Sequence, residues 1–183
     1  MIAYRRNPNL QQLIGGHRIE NNKVVKRKSK IQGSCTPCNS KKGNKCCKQL
    51  KNTTTFKNRH TNREYQIFHR VNCKSKNVIY LLECRRCEDK AYVGKTEIPV
   101  NQRMNGHRSD ARRTDKLAVD THFLQPEHNF DRDARFTIIE MIIRKDLRGE
   151  PLTRLLEQRE DFWILELATI EPKGFNIGLN TPN

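Results

Sequence analysis

Apolar and polar positions change rhythm along this chain near residue 63. From Arg63 onward Tyr65, Ile67 and His69 alternate with polar neighbours, as in a half-buried strand. Val78 to Leu82 is a short apolar run, and Lys90 to Lys95 forms a second, so the two predict a β-hairpin around the polar stretch that separates them. Pro99 opens a helix to about Arg113, because proline in the first turn forfeits no intrahelical N–H. Asp115 caps a second, short helix through about Leu124. Phe136 to Ile143 is dense in β-branched residues and predicts a third strand. Leu152 to Ala168 is the last long helix, and Pro172, Gly174 and Gly178 mark an irregular C-terminal segment.

The last helix carries an anomaly. At 3.6 residues per turn Leu152, Leu156, Trp163 and Leu167 form one apolar stripe, and Glu160 lies in the middle of it. A carboxylate on a core-facing line requires compensation for its lost hydration. A cation would supply it; so would a buried arginine, or a position at the stripe's edge that reaches water. Glu157, Asp161 and Glu166 fall towards the flank and read as solvated charges.

Upstream of residue 63 the texture is different. Residues 1–33 are polar, basic and rich in Asn, with one short helical patch from Leu10 to Ile14 that Gly15 and Gly16 stop. Residues 34–60 hold Cys35, Cys38, Cys46 and Cys47 among Lys, Asn, Gly and Ser, too few apolar groups to fold by burial alone, so a bound metal is the expected source of stability. Charge divides along the same line. Residues 1–76 contain 19 Lys and Arg against 2 Glu, net +17, and the remainder carries net −1, which together make the +16 of the 183-residue chain. So concentrated a positive field attracts polyanions, with Lys26, Arg27, Lys28, Lys30, Lys41 and Lys42 as candidate nucleic-acid contacts. The run from Lys23 to Lys30 also fits a nuclear import signal, and no run of about 18 apolar residues points to a membrane.

Seven cysteines without an apolar leader favour a reducing compartment, where cysteine pairs are more often metal sites than bridges. Cys84 and Cys87, in the hairpin's polar loop, have the spacing of a zinc knuckle. A redox pair is the rival reading, although no βαβ pattern surrounds it. On the first long helix Arg103 and His107 stand four apart on one face. An arginine clamps phosphate and a histidine holds an oxygen or moves a proton; with two tyrosines and a carboxylate they suit phosphodiester cleavage.

Val78-Ile79-Tyr80 and Tyr92-Val93-Gly94 resemble the paired triplets of GIY-YIG nucleases, with valine at one glycine and one isoleucine position. Arg103 and His107 follow in the family's order, Arg159-Glu160-Asp161-Phe162-Trp163-Ile164 looks like its metal-binding helix, and Gly174-Phe175-Asn176 matches its terminal asparagine. The cysteine pair between the triplets, followed by His122 and His128, is similar to the CCHH zinc insertion in the endonuclease of Penelope-like retroelements.

The resemblance implies an α+β fold: a small three-stranded antiparallel sheet flanked by helices, with a basic, zinc-stabilised N-terminal extension. Residues 1–62 would be the arm and residues 63–183 the nuclease. It implies one Mg²⁺ or Mn²⁺ on Glu160, with Tyr80 as or beside the general base, Tyr92 orienting water or phosphate, Arg103 neutralising phosphorane charge, His107 supporting one of these tasks and Asn176 bracing the site. A structural Zn²⁺ would sit on Cys84, Cys87, His122 and His128. A second is expected at Cys35 and Cys38, with Cys46 or Cys47 and Cys73, His60 or His69 completing it.

The expected activity is nicking of DNA to leave a 3′-hydroxyl that primes reverse transcription, in the nucleus, with a reverse transcriptase in cis or in trans; RNA is a further partner of the arm. The alternatives are a zinc-containing nucleic-acid-binding module that no longer cuts and, more remotely, a redox protein.

Overall fold

The computed structural model describes residues 32–38, 45–87, 90–113, 117–143, 146 and 149–180, with only the backbone of Lys45 and Cys46. Two short pairings come first. Strand β1 (Ser34–Cys35) runs parallel to β4 (Arg70–Val71), and β2 (Thr55–Lys57) pairs antiparallel with β3 (Glu64–Gln66); helix α1 (Lys45–Gln49) lies between β1 and β2 in the chain. The main sheet has three antiparallel strands, β5 (Val78–Cys84), β6 (Ala91–Thr96) and β7 (Ala134–Met141), in the order β6-β5-β7. Helices α2 (Val100–Arg113), α3 (Ala118–Leu124) and α4 (Phe130–Asp133) connect β6 to β7, and α5 (Leu152–Glu166) follows.

Central strand β5 is buried along its whole length. Alternation places Val78, Tyr80, Leu82 and Cys84 on one face and Ile79, Leu81 and Glu83 on the other. On the first of these faces Tyr80 lies opposite Gly94 of β6 and Ile138 of β7, and Leu82 lies opposite Tyr92 and Phe136. Helix α2 covers it with Val100, Met104, His107, Arg108 and Ala111, a buried stripe at helical spacing. At the outer edge of β6 the C-terminal segment takes the free backbone groups: Phe175 N–H donates to Ala91 C=O, and the Asn176 amide exchanges two 2.9 Å bonds with Val93.

Element boundaries moved for local reasons. The third strand starts at Ala134, where Cys84 supplies a partner, and ends at Met141, two residues before the expected Ile143. Helix α3 starts after Leu117, which makes no side-chain cap; the expected cap, Asp115, lies outside the described residues. Helix α5 ends at Glu166 rather than Ala168. Ala168 adopts φ 53°, its N–H donates to Leu165 C=O and that of Thr169 donates to Ile164 C=O, the two bonds of a Schellman stop with alanine in the usual glycine place. The alternation at Tyr65, Ile67 and His69 is real in burial, yet only Tyr65 lies in a strand, and Ile67 and His69 fall in the link between β3 and β4.

Packing runs without interruption across the expected junction at residues 62 and 63. Leu50 bridges to Phe136, Gln49 Nε2 donates to Phe130 C=O, and Phe56 packs on Tyr65 and Trp163 at ring separations of 5.3 and 5.1 Å. Residues 31–183 form one compact unit. The arm contacts expected at Lys26, Arg27, Lys28, Lys30, Lys41 and Lys42 lie outside the described residues.

Candidate active site

Strand register brings the two tyrosines together. Because Tyr80 faces Gly94, Tyr92 is its diagonal neighbour on the same face, and the rings lie 6.4 Å apart. Glycine is required there by space: a Cβ on Gly94 would sit 2.5 Å from Tyr80 Oη and 2.6 Å from Tyr92 Cε1. Valine at position 78, by contrast, is wholly buried in β5 beneath the site.

Tyr80 Oη is the hub. Arg103 Nε donates to it at 2.9 Å, and His107 Nε2 lies 2.8 Å away. Sequence spacing had placed Arg103 and His107 on one helix face, and the structure aims that face at Tyr80. Burial pushes the Tyr80 phenol well above its ordinary range and Tyr92 adds to this, with Arg103 opposing. Tyr92 is pushed up to about 12, chiefly by burial and then by the charge of Glu160. Burial holds the His107 imidazole below its ordinary value, so the ring is neutral at pH 7.

Glu160 is 6 % exposed, as its place on the stripe requires, and no arginine among the described residues pairs with it. Its Oε1 accepts the Lys95 N–H at 2.9 Å, next along β6 from Gly94, and its Oε2 accepts Asn180 Nδ2 at 2.6 Å. Burial raises its pKa, while Asn180 and Lys95 pull it partly back. A carboxylate held by neutral donors and the nearby Lys95 still has lone pairs for a hard cation. Asp161 departs from expectation: it is buried, because Asn180 from the C-terminal segment donates to it through both N and Nδ2. Glu157 pairs with Lys95 Nζ at 2.7 Å and Glu166 accepts Tyr65 Oη at 2.5 Å, so both are tied to neighbours rather than simply solvated.

The four residues of the zinc reading converge. One ligand atom from each of Cys84, Cys87, His122 and His128 lies within 4.8 Å of all the others, and the two sulfurs stand 3.7 Å from ring nitrogens of His128. Zn–S near 2.3 Å and Zn–N near 2.0 Å put tetrahedral edges at roughly 3.5–3.8 Å, so the group fits a metal such as zinc. A second group is Cys38, Cys47 and Cys73, with the Cys47 sulfur 3.4 Å from that of Cys38 and 4.0 Å from that of Cys73.

Cys35 does not join that group. Its side chain turns into the sheet, where Sγ accepts the Ile138 N–H at 3.4 Å and burial pushes the thiol up to about 11, away from the thiolate a metal needs. His60 and His69 also stay outside it among the described residues, and the Cys46 side chain is not among them.

Three contributors escaped the sequence reading. Asp120 Oδ1 lies 2.9 Å from His107 Nδ1, Asn180 holds Glu160, and Lys95 offers its backbone N–H. Asp120 carried one faint signal, an acid between Val119 and Phe123 in a short helix; Asn180 carried none, since a backbone-like amide in a tail has no periodicity. No protein-family model, curated protein or solved structure matches this chain.

Proposed function

We propose that the chain is a metal-dependent DNA endonuclease of GIY-YIG type, similar to the nuclease end of a Penelope-like retroelement. The observation that carries the reading is the buried hub at Tyr80, joined to Arg103 and His107 and flanked by Tyr92 and Gly94, with Glu160 of α5 on the backbone N–H of Lys95, the residue after Gly94. Two tyrosines, a glycine, an arginine and a histidine meet on one face of a small sheet with a carboxylate at its β6 edge, an arrangement that core packing alone does not call for.

In this reading Glu160 holds Mg²⁺ or Mn²⁺, which when bound polarises the scissile phosphate and acidifies water. The half-buried Arg103 guanidinium neutralises charge on the phosphorane. Tyr92, at the site's surface edge with 9 % exposure, orients the attacking water or a phosphate oxygen. Tyr80, deeper, takes a proton from that water as its own passes to His107. Asn176 braces β6 through its paired bonds to Val93. The basic segment draws in the polyanion, and a nick with a 3′-hydroxyl would prime a reverse transcriptase supplied in cis or in trans, in the nucleus. Zn²⁺ on Cys84, Cys87, His122 and His128 fills all four positions and is structural.

One observation favours a second reading, a nucleic-acid-binding module that no longer cuts: Tyr80 is completely buried. Both readings meet the same test. Supercoiled plasmid is incubated with the protein and Mg²⁺ or Mn²⁺, beside Glu160→Ala. Metal-dependent nicking that the variant loses is the expected result. Equal nicking by both proteins refutes the site, and tight DNA binding without nicking leaves the binding module.

A further inference from the structure

Asp120 is fully buried, and among the described residues its carboxylate has one hydrogen-bond partner. Oδ1 lies 2.9 Å from His107 Nδ1, and Oδ2, also buried, has no partner among the described residues. Burying a carboxylate oxygen with nothing to satisfy it is unfavourable, and the position between Val119 and Phe123 would be better filled by an apolar side chain if packing were its purpose.

We propose that Asp120 is a positioning residue that fixes His107 as the Nδ1–H tautomer and so makes Nε2 the acceptor for the Tyr80 proton. In that tautomer the hydrogen in the 2.9 Å contact belongs to Nδ1 and the carboxylate oxygen accepts it. Nε2 of the neutral ring is then bare, and Tyr80 O–H must be the donor across the 2.8 Å contact. Arg103 Nε–H in turn can only donate to Tyr80 Oη. One acid thereby sets the direction of the whole chain from Arg103 through Tyr80 and His107 to itself.

The inference rests on the endonuclease reading for its chemistry. As water attacks phosphorus, one water O–H bond breaks and that proton goes to Tyr80 Oη, while the Tyr80 proton moves to His107 Nε2. The water oxygen keeps the electron pair and forms the new P–O bond, the P–O3′ bond breaks, and the leaving O3′ takes a proton from solvent. The imidazolium formed on His107 faces a carboxylate whose second oxygen no other donor among the described residues neutralises. The groups facing His107 are Tyr80 from β5, Tyr92 from β6, Asp120 from α3, and Arg103 and Asp110 on its own helix; Phe136 from β7 is neutral.

The same two elements carry the cysteine–histidine clamp. Tyr80 and Cys84 lie four residues apart on β5, and Asp120 and His122 lie two apart on α3. A metal joining Cys84 to His122 therefore closes a ring whose other side is the contact from Tyr80 through His107 to Asp120, which holds the carboxylate at its distance from the ring.

The test uses the whole chain labelled with ¹⁵N-histidine, with the His107 signals assigned by their loss in His107→Gln, and the nicking rate with Mg²⁺ or Mn²⁺ measured beside it. The expected spectrum has the His107 proton on Nδ1. Asp120→Asn, whose amide can turn its NH₂ towards the ring, moves that proton to Nε2 and slows single-turnover nicking by about tenfold or more, with DNA affinity and zinc content unchanged. A proton on Nε2 in the unaltered protein overturns the proposal, and so does an Asp120→Asn protein with unaltered spectrum and rate. If Asp120→Asn does not fold, the spectrum of the unaltered protein still decides. If the unaltered protein binds DNA without nicking it, the endonuclease reading fails, while the tautomer stands or falls on the spectrum.

Discussion

The two sulfur clusters differ in how they reach the tyrosines. Cys84, Cys87, His122 and His128 join the end of the central strand to helix α3, whose Asp120 touches His107. Cys38, Cys47 and Cys73 join the segment after β1, helix α1 and the loop after β4. That loop also bears on the site, because Cys73 C=O accepts the Asn101 N–H and Ser75 C=O accepts the Val100 N–H at the start of α2. The first cluster thus acts through side chains in direct contact with His107, the second through a backbone cap about one turn before Arg103. Two clusters of similar chemistry should differ in consequence because contact chains transmit displacement and helix caps absorb it by fraying.

The largest effect should come from breaking the first cluster. Cys87→Ser should remove one equivalent of bound zinc, destabilise by about 4 kcal/mol and lower Tm by roughly 10 °C; nicking should fall more than about tenfold with it, read by metal analysis, calorimetry and the plasmid assay. Gly94→Ala sharpens the comparison from the other side, reaching the tyrosines without touching sulfur. Its Cβ would displace the Tyr80 and Tyr92 rings, so nicking should fall and stability drop by about 1–3 kcal/mol, with zinc content intact.

Cys73→Ser should also lose zinc, yet lower nicking only about two- to fivefold, since a loosened helix start leaves Asp120 in place. Equal losses in Cys73→Ser and Cys87→Ser would sink the distinction between contact chain and cap. Asn180→Ala touches neither cluster. Removing its bonds to Glu160 and Asp161 should destabilise by about 1–2 kcal/mol, visible as a lower denaturant midpoint.

Acid separates the tyrosine side from the rest more gently. His107 is buried neutral, with its pKa below the unfolded value, so its contribution to stability is present above about pH 6.5 and is lost as pH falls from there towards the folded pKa, because the unfolded chain takes the proton first. His107→Gln should flatten that part of the Tm profile.

How much of this was legible depends on what each signal measures. Glu160 was legible because the periodicity of its own helix put it on the buried stripe, and Arg103 with His107 because four residues is one helical turn. Cys84 and Cys87 were legible by spacing. Local spacing misled at Cys35, which shares a short segment with Cys38 but points into the sheet towards Ile138, while Cys73 arrives from beyond β4. Asp161 looked solvated because its helix alone leaves it on the flank, and the residue that buries it, Asn180, lies nineteen positions on.

The sequence by itself determined the longer elements, β5, β6, β7, α2, α3 and α5, the apolar stripe of α5 that holds Glu160, and the residue types available for phosphate and metal chemistry. Those are properties of single elements, set by turn geometry, branching and burial of apolar side chains. Only the tertiary structure decided which partners meet: Tyr80 with His107, His107 with Asp120, Glu160 with the β6 backbone and Asn180. Such meetings depend on strand register and helix placement, which follow from packing the whole core at once and leave no periodic trace in any one segment.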